Sequence, residues 1–120
     1  MRYLLQIWGD EGAFVEAPPE EIAKTLEEYG SLTEEMRAAG AFVAGEGLQP
    51  TATATSVRVR DGETAVTDGP FAETKEQLGG FFLVECEDLD RAIGWAARIP
   101  GARGGTVEVR PVTDYDQQQS

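Results

Sequence analysis

Residues 2–8 alternate along the chain, with Tyr3, Leu5 and Ile7 on one side and Leu4, Gln6 and Trp8 on the other. That pattern predicts a strand whose two faces are both largely apolar. Gly9-Asp10-Glu11-Gly12 breaks it, and a polar loop leads to Pro18-Pro19. Proline in a first helical turn, followed by Glu20 and Glu21 at the positive end of the dipole, marks a helix start. Ile22, Leu26, Tyr29, Leu32, Met36 and Ala39 then recur at helical spacing, which predicts a helix over 19–39 stopped by Gly40. Gly30-Ser31 weakens that helix in the middle.

Residues 41–48 read as a second strand in which Gly45 and Gly47 mark bulges or close backbone approach, and Gln49-Pro50 ends it. From 53 to 60, Thr53, Thr55, Val57 and Val59 share one face while Ser56, Arg58 and Arg60 share the other. Asp61-Gly62 supplies a two-residue turn and 63–67 runs back, predicting a β-hairpin with one wet face. A loop opening with Asp68-Gly69-Pro70-Phe71 follows. Residues 78–86 then form a strand with Phe82, Val84 and Cys86 on one side and Phe81 and Leu83 on the other; Gly79-Gly80 admits a bulge or space for a ligand. Asp88 is an N-cap for a helix over 89–99, with Leu89, Ala92, Ile93, Ala96 and Ile99 apolar, and Pro100-Gly101 stops it. A last strand over 106–110 turns Val107 and Val109 inward. Residues 1–113 make one domain without internal repeats, and 114–120 form a polar, frayed tail.

The resulting order, β-α-β-(β-hairpin)-β-α-β, is the ferredoxin-like α+β pattern with a hairpin inserted after the second strand. Two helices cover one face of an antiparallel sheet. Leu4, Trp8, Phe81 and Leu83 fall on the other face, and a bare patch of that size is unusual for a monomer. A second copy of the same sheet is the economical cover, so a homodimer packed sheet to sheet is expected.

Charge narrows the partners. Ten Lys and Arg stand against 22 Asp and Glu, a net charge of −12, so phosphate backbones and anionic lipid surfaces are repelled. Neither nucleic acid nor membrane is an expected partner. The apolar opening is too short for a signal sequence or a membrane span, which makes the cytoplasm the default compartment. With one cysteine and no histidine, the chain has no disulfide framework and no group that titrates near neutrality unaided. Phosphate loop, dinucleotide fingerprint, nucleophile elbow and metal motif are all missing, so no cofactor and no metal are expected.

Candidate chemistry gathers around the loop after the hairpin. Asp68 either fixes its own turn by bonding backbone two residues on, or faces a cleft as ligand acceptor or base. A free aspartate titrates near ~3.9, so base chemistry around neutrality would require burial. Lys75 either holds an anionic ligand or pairs with a surface carboxylate, and Glu46, between two glycines, points inward or is a solvated bulge residue. A small-molecule pocket between sheet and loop would use Asp68, Glu46, Thr74 and Lys75, with Gly69, Pro70 and Phe71 as the contacting turn. Without histidine or metal, its chemistry is limited to proton transfer or elimination by a carboxylate. Arg58 and Arg60 read as solvated charges, Trp8 and Trp95 as packing residues, and Cys86 as a buried, inert thiol.

Three segments carry a family resemblance: Gly45-Glu46-Gly47-Leu48-Gln49-Pro50, the run from Asp68-Gly69-Pro70-Phe71 through Gly79-Gly80, and Val107-Glu108-Val109-Arg110-Pro111. Together they resemble the YCII-related, DGPF-motif family over nearly the whole chain. The resemblance implies a dimeric α+β barrel and little about activity. In better-studied relatives a histidine and an aspartate line a cleft and are suspected of catalysis. Asp68 matches the motif aspartate, but no histidine is present here, which puts that kind of acid–base pair out of reach. Many members are encoded beside extracytoplasmic-function sigma factors, so the resemblance also implies a regulatory or protein-interaction role as the alternative.

Overall fold

In the computed structural model, which describes residues 1–118, strand β1 (Arg2–Gly9) is followed by a short helix α1 (Glu11–Glu16) and a long helix α2 (Pro19–Ala38). Strands β2 (Phe42–Gly47), β3 (Thr55–Arg60), β4 (Glu63–Asp68) and β5 (Gln77–Glu85) come next, with a 3-10 turn at Thr51–Thr53 before β3. Helix α3 (Leu89–Ala97), a 3-10 turn at Pro100–Ala102, strand β6 (Thr106–Pro111) and a four-residue helix α4 (Tyr115–Gln118) complete the chain. Four strands form one antiparallel sheet in the order β2-β5-β1-β6, and β3 pairs with β4 in a separate two-stranded sheet. This is the ferredoxin-like α+β topology that the residue pattern predicts.

Alternation places the core. Tyr3 and Leu5 of β1 face the helices beside Phe82 and Val84 of β5, and Leu32, Met36, Ala92, Ala96 and Ile99 close over them. The sheet edge adds a T-shaped contact between Phe42 and Phe82, with ring centroids 6.4 Å apart. Helix α2 ends in a Schellman arrangement: the Gly40 N–H donates to the Arg37 carbonyl and the Ala41 N–H to the Met36 carbonyl at 2.8 Å. Asp88 caps α3 by accepting from the Arg91 N–H at 2.9 Å, as its position before the helix predicts.

Several expectations are corrected. The stretch before Pro18 is helix α1 and not simply a polar loop, because Asp10 accepts from the Gly12 and Ala13 N–H groups and caps it. Leu26 and Ile93 are exposed although both share an apolar period. At 100° per residue Leu26 lies roughly 80° around α2 from Met36, and Ile93 lies 100° from Ala92, off the buried stripe in each case. Both faces of the hairpin are wet, because among the described residues no layer packs on either side of it. In β2 the irregularity lies between Phe42 and Ala44 and not at a glycine, whereas Gly45 marks the close approach: a Cβ there would sit 2.8 Å from the Phe82 ring. The β5 bulge does fall in the glycine pair, since Ile7 faces Gly80 while Trp8 faces Leu78. The start of the predicted frayed tail forms α4, and residues 119–120 lie outside the described residues.

Candidate functional site

The loop between β4 and β5 is held at both ends by hydrogen bonds that cross long stretches of sequence. Gly69 adopts φ +92°, a backbone conformation that side chains rarely take, and its N–H donates to the Ala54 carbonyl at 2.7 Å. Ser56 Oγ donates to the Gly69 carbonyl at 2.8 Å, so the start of β3 clamps the turn from both sides. At the far end Thr74 Oγ1 donates to the Glu76 carbonyl, Gln77 Nε2 donates to the Thr74 carbonyl at 2.7 Å, and Thr106 Oγ1 donates to Glu76 Oε1 at 3.0 Å.

Glu11 supplies the third brace. Its N–H donates to Gln77 Oε1 at 3.1 Å, and its carboxylate accepts from both the Thr51 N–H (3.0 Å) and Thr51 Oγ1 (2.5 Å). A charged acceptor with two donors at this range is among the stronger neutral-to-ion arrangements. Glu11 therefore ties α1, the 3-10 turn and the start of β5 into one wall. Sequence reading misses it: the partners are 40 and 66 residues away, and only the Asp10 cap hints that Glu11 begins a helix.

Between these braces lies an open crevice of about 400 Å³ lined by Thr51, Ala52, Pro70, Ala72, Glu73, Thr74 and Gln77. Of the predicted site residues, Pro70 and Thr74 are on its wall. Asp68, Gly69, Phe71, Lys75 and Glu46 are not. Asp68 ends β4 opposite Thr55, exposed, and among the described residues its carboxylate neither fixes the turn nor forms an ion pair; Gly69 does the fixing. Lys75 is exposed and also unpaired among the described residues. Phe71 is 79% exposed beside the crevice wall at Pro70 and Ala72. Glu46 lies elsewhere, on the helix-free face of the sheet in a rung with Phe81, Gln6 and Glu108.

A second depression, of about 390 Å³, runs along α2 to Arg98. Two of its carboxylates are paired within the chain, Glu35 with Arg98 across it and Glu28 with Arg103 at 2.6 Å beside it, while Lys24 and Glu27 add solvated charge to its rim. It is a solvated helix groove. Among the described residues no cluster of carboxylate, cysteine and histidine groups is arranged to hold a metal. Among the described residues no helix is long and apolar enough to cross a membrane.

Cys86 stands apart from the crevice, packed against the core, with Sγ donating to the Asp88 carbonyl at 3.6 Å. Burial pushes its thiol pKa up, and the Asp88 and Glu85 carboxylates add to this while the N-terminal ammonium opposes it. Because the thiolate is the reactive form, iodoacetamide should alkylate folded Cys86 several-fold more slowly at pH 8 than it does the urea-unfolded chain. Its rate profile should rise only at higher pH, and equal rates in the two states would contradict this reading.

The comparisons with known proteins point the same way as the fold. The YCII-related domain matches residues 1–116. An uncharacterized protein of Rhizobium meliloti (strain 1021) is 37% identical over 117 residues, covering 96% of this chain and 94% of that relative. With the four-stranded antiparallel sheet, the inserted hairpin and the Asp68-Gly69-Pro70-Phe71 loop in place, the chain belongs to the YCII-related domain family.

Proposed function

We propose that the protein binds a small polar molecule in the crevice beside the Asp68-Gly69-Pro70-Phe71 loop, and that it does so as a homodimer. The observation that carries the binding reading is the bracing of this crevice: Glu11, Thr51 and Gln77 hold its walls through contacts spanning up to 66 residues, in a loop region that otherwise has few buried contacts. Preorganised concave sites with a few convergent polar groups are where ligands bind. Glu73 is the one ionisable side chain on the wall, which favours a neutral or cationic ligand over an anion. Phe71 offers an exposed ring next to the wall and Asp68 an unengaged carboxylate at the end of β4, so proton transfer by Asp68 follows only if the ligand or the second protomer covers it.

Support for the dimer comes from the helix-free sheet face, where Leu4, Trp8, Leu78, Phe81 and Leu83 are all partly exposed and Trp8 Nε1 is shielded without a hydrogen-bond partner among the described residues. A thermal-shift screen of neutral and amine-bearing metabolites tests the site. A ligand at one hundred times its Kd should raise stability by about 2.7 kcal/mol, which is several degrees in Tm. Glu73→Gln and Thr74→Val should lose that shift while Lys24→Gln keeps it. A shift that survives both crevice substitutions would place the ligand elsewhere, and the absence of any shift across the screen would remove the reading.

A further inference from the structure

We infer that the β3–β4 hairpin is an arm that docks on a second copy of this chain. Isolated two-stranded hairpins are marginal in water. This one nevertheless has twelve strand residues of which only Ser56 is even partly buried, and among the described residues it pairs with no other strand. One face presents Val57, Val59 and Val66, the first and last directly opposite each other and 61% and 64% exposed. Among the described residues nothing covers them.

The dimensions identify a partner of substantial size. A compact chain of this length has a radius of gyration of about 13.6 Å, whereas this one measures 16.6 Å with extents of 52 × 46 × 19 Å. A folded monomer of this mass exposes roughly 6,300 Å²; this chain exposes 8638 Å². The difference well exceeds the ~800 Å² that each partner contributes to a standard interface. Residues 119–120 are too few to cover such an area. Charge favours a second copy as occupant. Arg58 and Arg60, on the opposite face of the arm, have no ion pair among the described residues, while the chain as a whole carries −12. Two copies of so acidic a protein repel unless cations of one meet carboxylates of the other, and a protruding arm whose two arginines form no ion pair among the described residues, Arg60 donating only to the Val59 carbonyl, brings that about. A two-fold arrangement makes the same contact twice.

This inference rests on self-association from the proposed function, but not on the crevice as ligand site or on the outer sheet face as the seam. Its test is a dilution series by sedimentation velocity with hydrogen exchange on the full chain, comparing wild type, Val57→Lys/Val66→Lys and Leu83→Lys. Both valines touch no core residue, so the arm variant should fold, with protected amides in β1 and β5. The expected result is a dimer Kd raised at least about tenfold by the arm substitutions, with amides of β3 and β4 protected only in associated wild type. A wild-type dimer whose Kd the arm substitutions leave unchanged overturns the arm and leaves the homodimer standing. A 13.0 kDa species at every concentration overturns both. Protection of the arm amides that persists on full dilution also overturns it, because the hairpin would then need no partner. If Leu83→Lys has no effect while the arm variant dissociates, the arm stands and the sheet seam falls.

Discussion

Gly105→Ala should cost about 3 kcal/mol or more, lowering Tm by roughly 10 °C, while Gly104→Ala one residue earlier should stay within about 0.5 kcal/mol of wild type. A Cβ at Gly105 would lie 2.1 Å from the Trp8 carbonyl oxygen, 3.1 Å from the Gly9 Cα and 3.2 Å from the Gly101 carbonyl oxygen. All three neighbours are backbone, so no side chain can swing aside. Gly105 also donates its N–H to Gly101 at 2.9 Å just before β6 joins β1 at the Thr106–Trp8 pair, which leaves the segment little room to shift. A Cβ at Gly104 meets nothing within 4 Å. Parallel thermal and urea melts of the two variants decide it: equal stabilities would contradict the close backbone approach at Gly105.

Leu5→Ala is the second large effect, expected to remove about 2–5 kcal/mol. Leu5 is 0% exposed in a central strand, between Phe82 of β5 and Val109 of β6, and it packs against the helix layer. Truncation loses the transfer energy of the removed carbons and leaves a cavity that two flanking strands cannot easily collapse. Domains of this size are stable by only about 5–15 kcal/mol, so urea denaturation should show a large fall in midpoint with little change in slope. Leu26→Ala is the comparison. Leu26 belongs to an apolar helical period in the sequence but is 59% exposed, and its truncation should cost well under 1 kcal/mol. Similar losses at both positions would contradict the placement of the core.

The contrast between Leu5 and Leu26 shows how far a one-dimensional reading reaches. Alternation in β1 and β5 identifies their inward residues because a strand has only two faces and one is covered by helices. A helix has no such binary choice. An apolar residue 80° from the stripe still looks periodic, and only the packed partner decides whether it is buried. The hairpin turn at Asp61-Gly62 was equally legible, since both residues adopt the positive φ that a two-residue connection requires. Its two wet faces were not, because alternating valines look the same whether or not another layer exists to meet them.

The candidate site divides in the same way. The Asp68-Gly69-Pro70-Phe71 loop stands out in sequence, and it does border the crevice through Pro70 and Thr74. Ionisable groups point to Asp68, Lys75 and Glu46 in the sequence, yet apart from Pro70 and Thr74 the wall is built from Thr51, Ala52, Ala72, Glu73 and Gln77, braced by Glu11. Glu46 is close to Gly80 through the backbone of paired strands and shares the helix-free sheet face with its partner Phe81.

By itself the sequence determined the order of the six strands and two main helices, the ferredoxin-like α+β class and the two-residue hairpin turn, because each follows from local backbone preference or from periodicity along one segment, and the resemblance carried by its motifs pointed to the family. Tertiary structure alone decided that Glu11 reaches Thr51 and Gln77, that Asp68 lies off the crevice wall, that Gly105 must lack a side chain, and that the hairpin stands clear of the body. Those features depend on which distant segments meet, and a contact between residues tens of positions apart leaves no mark in the spacing of either one.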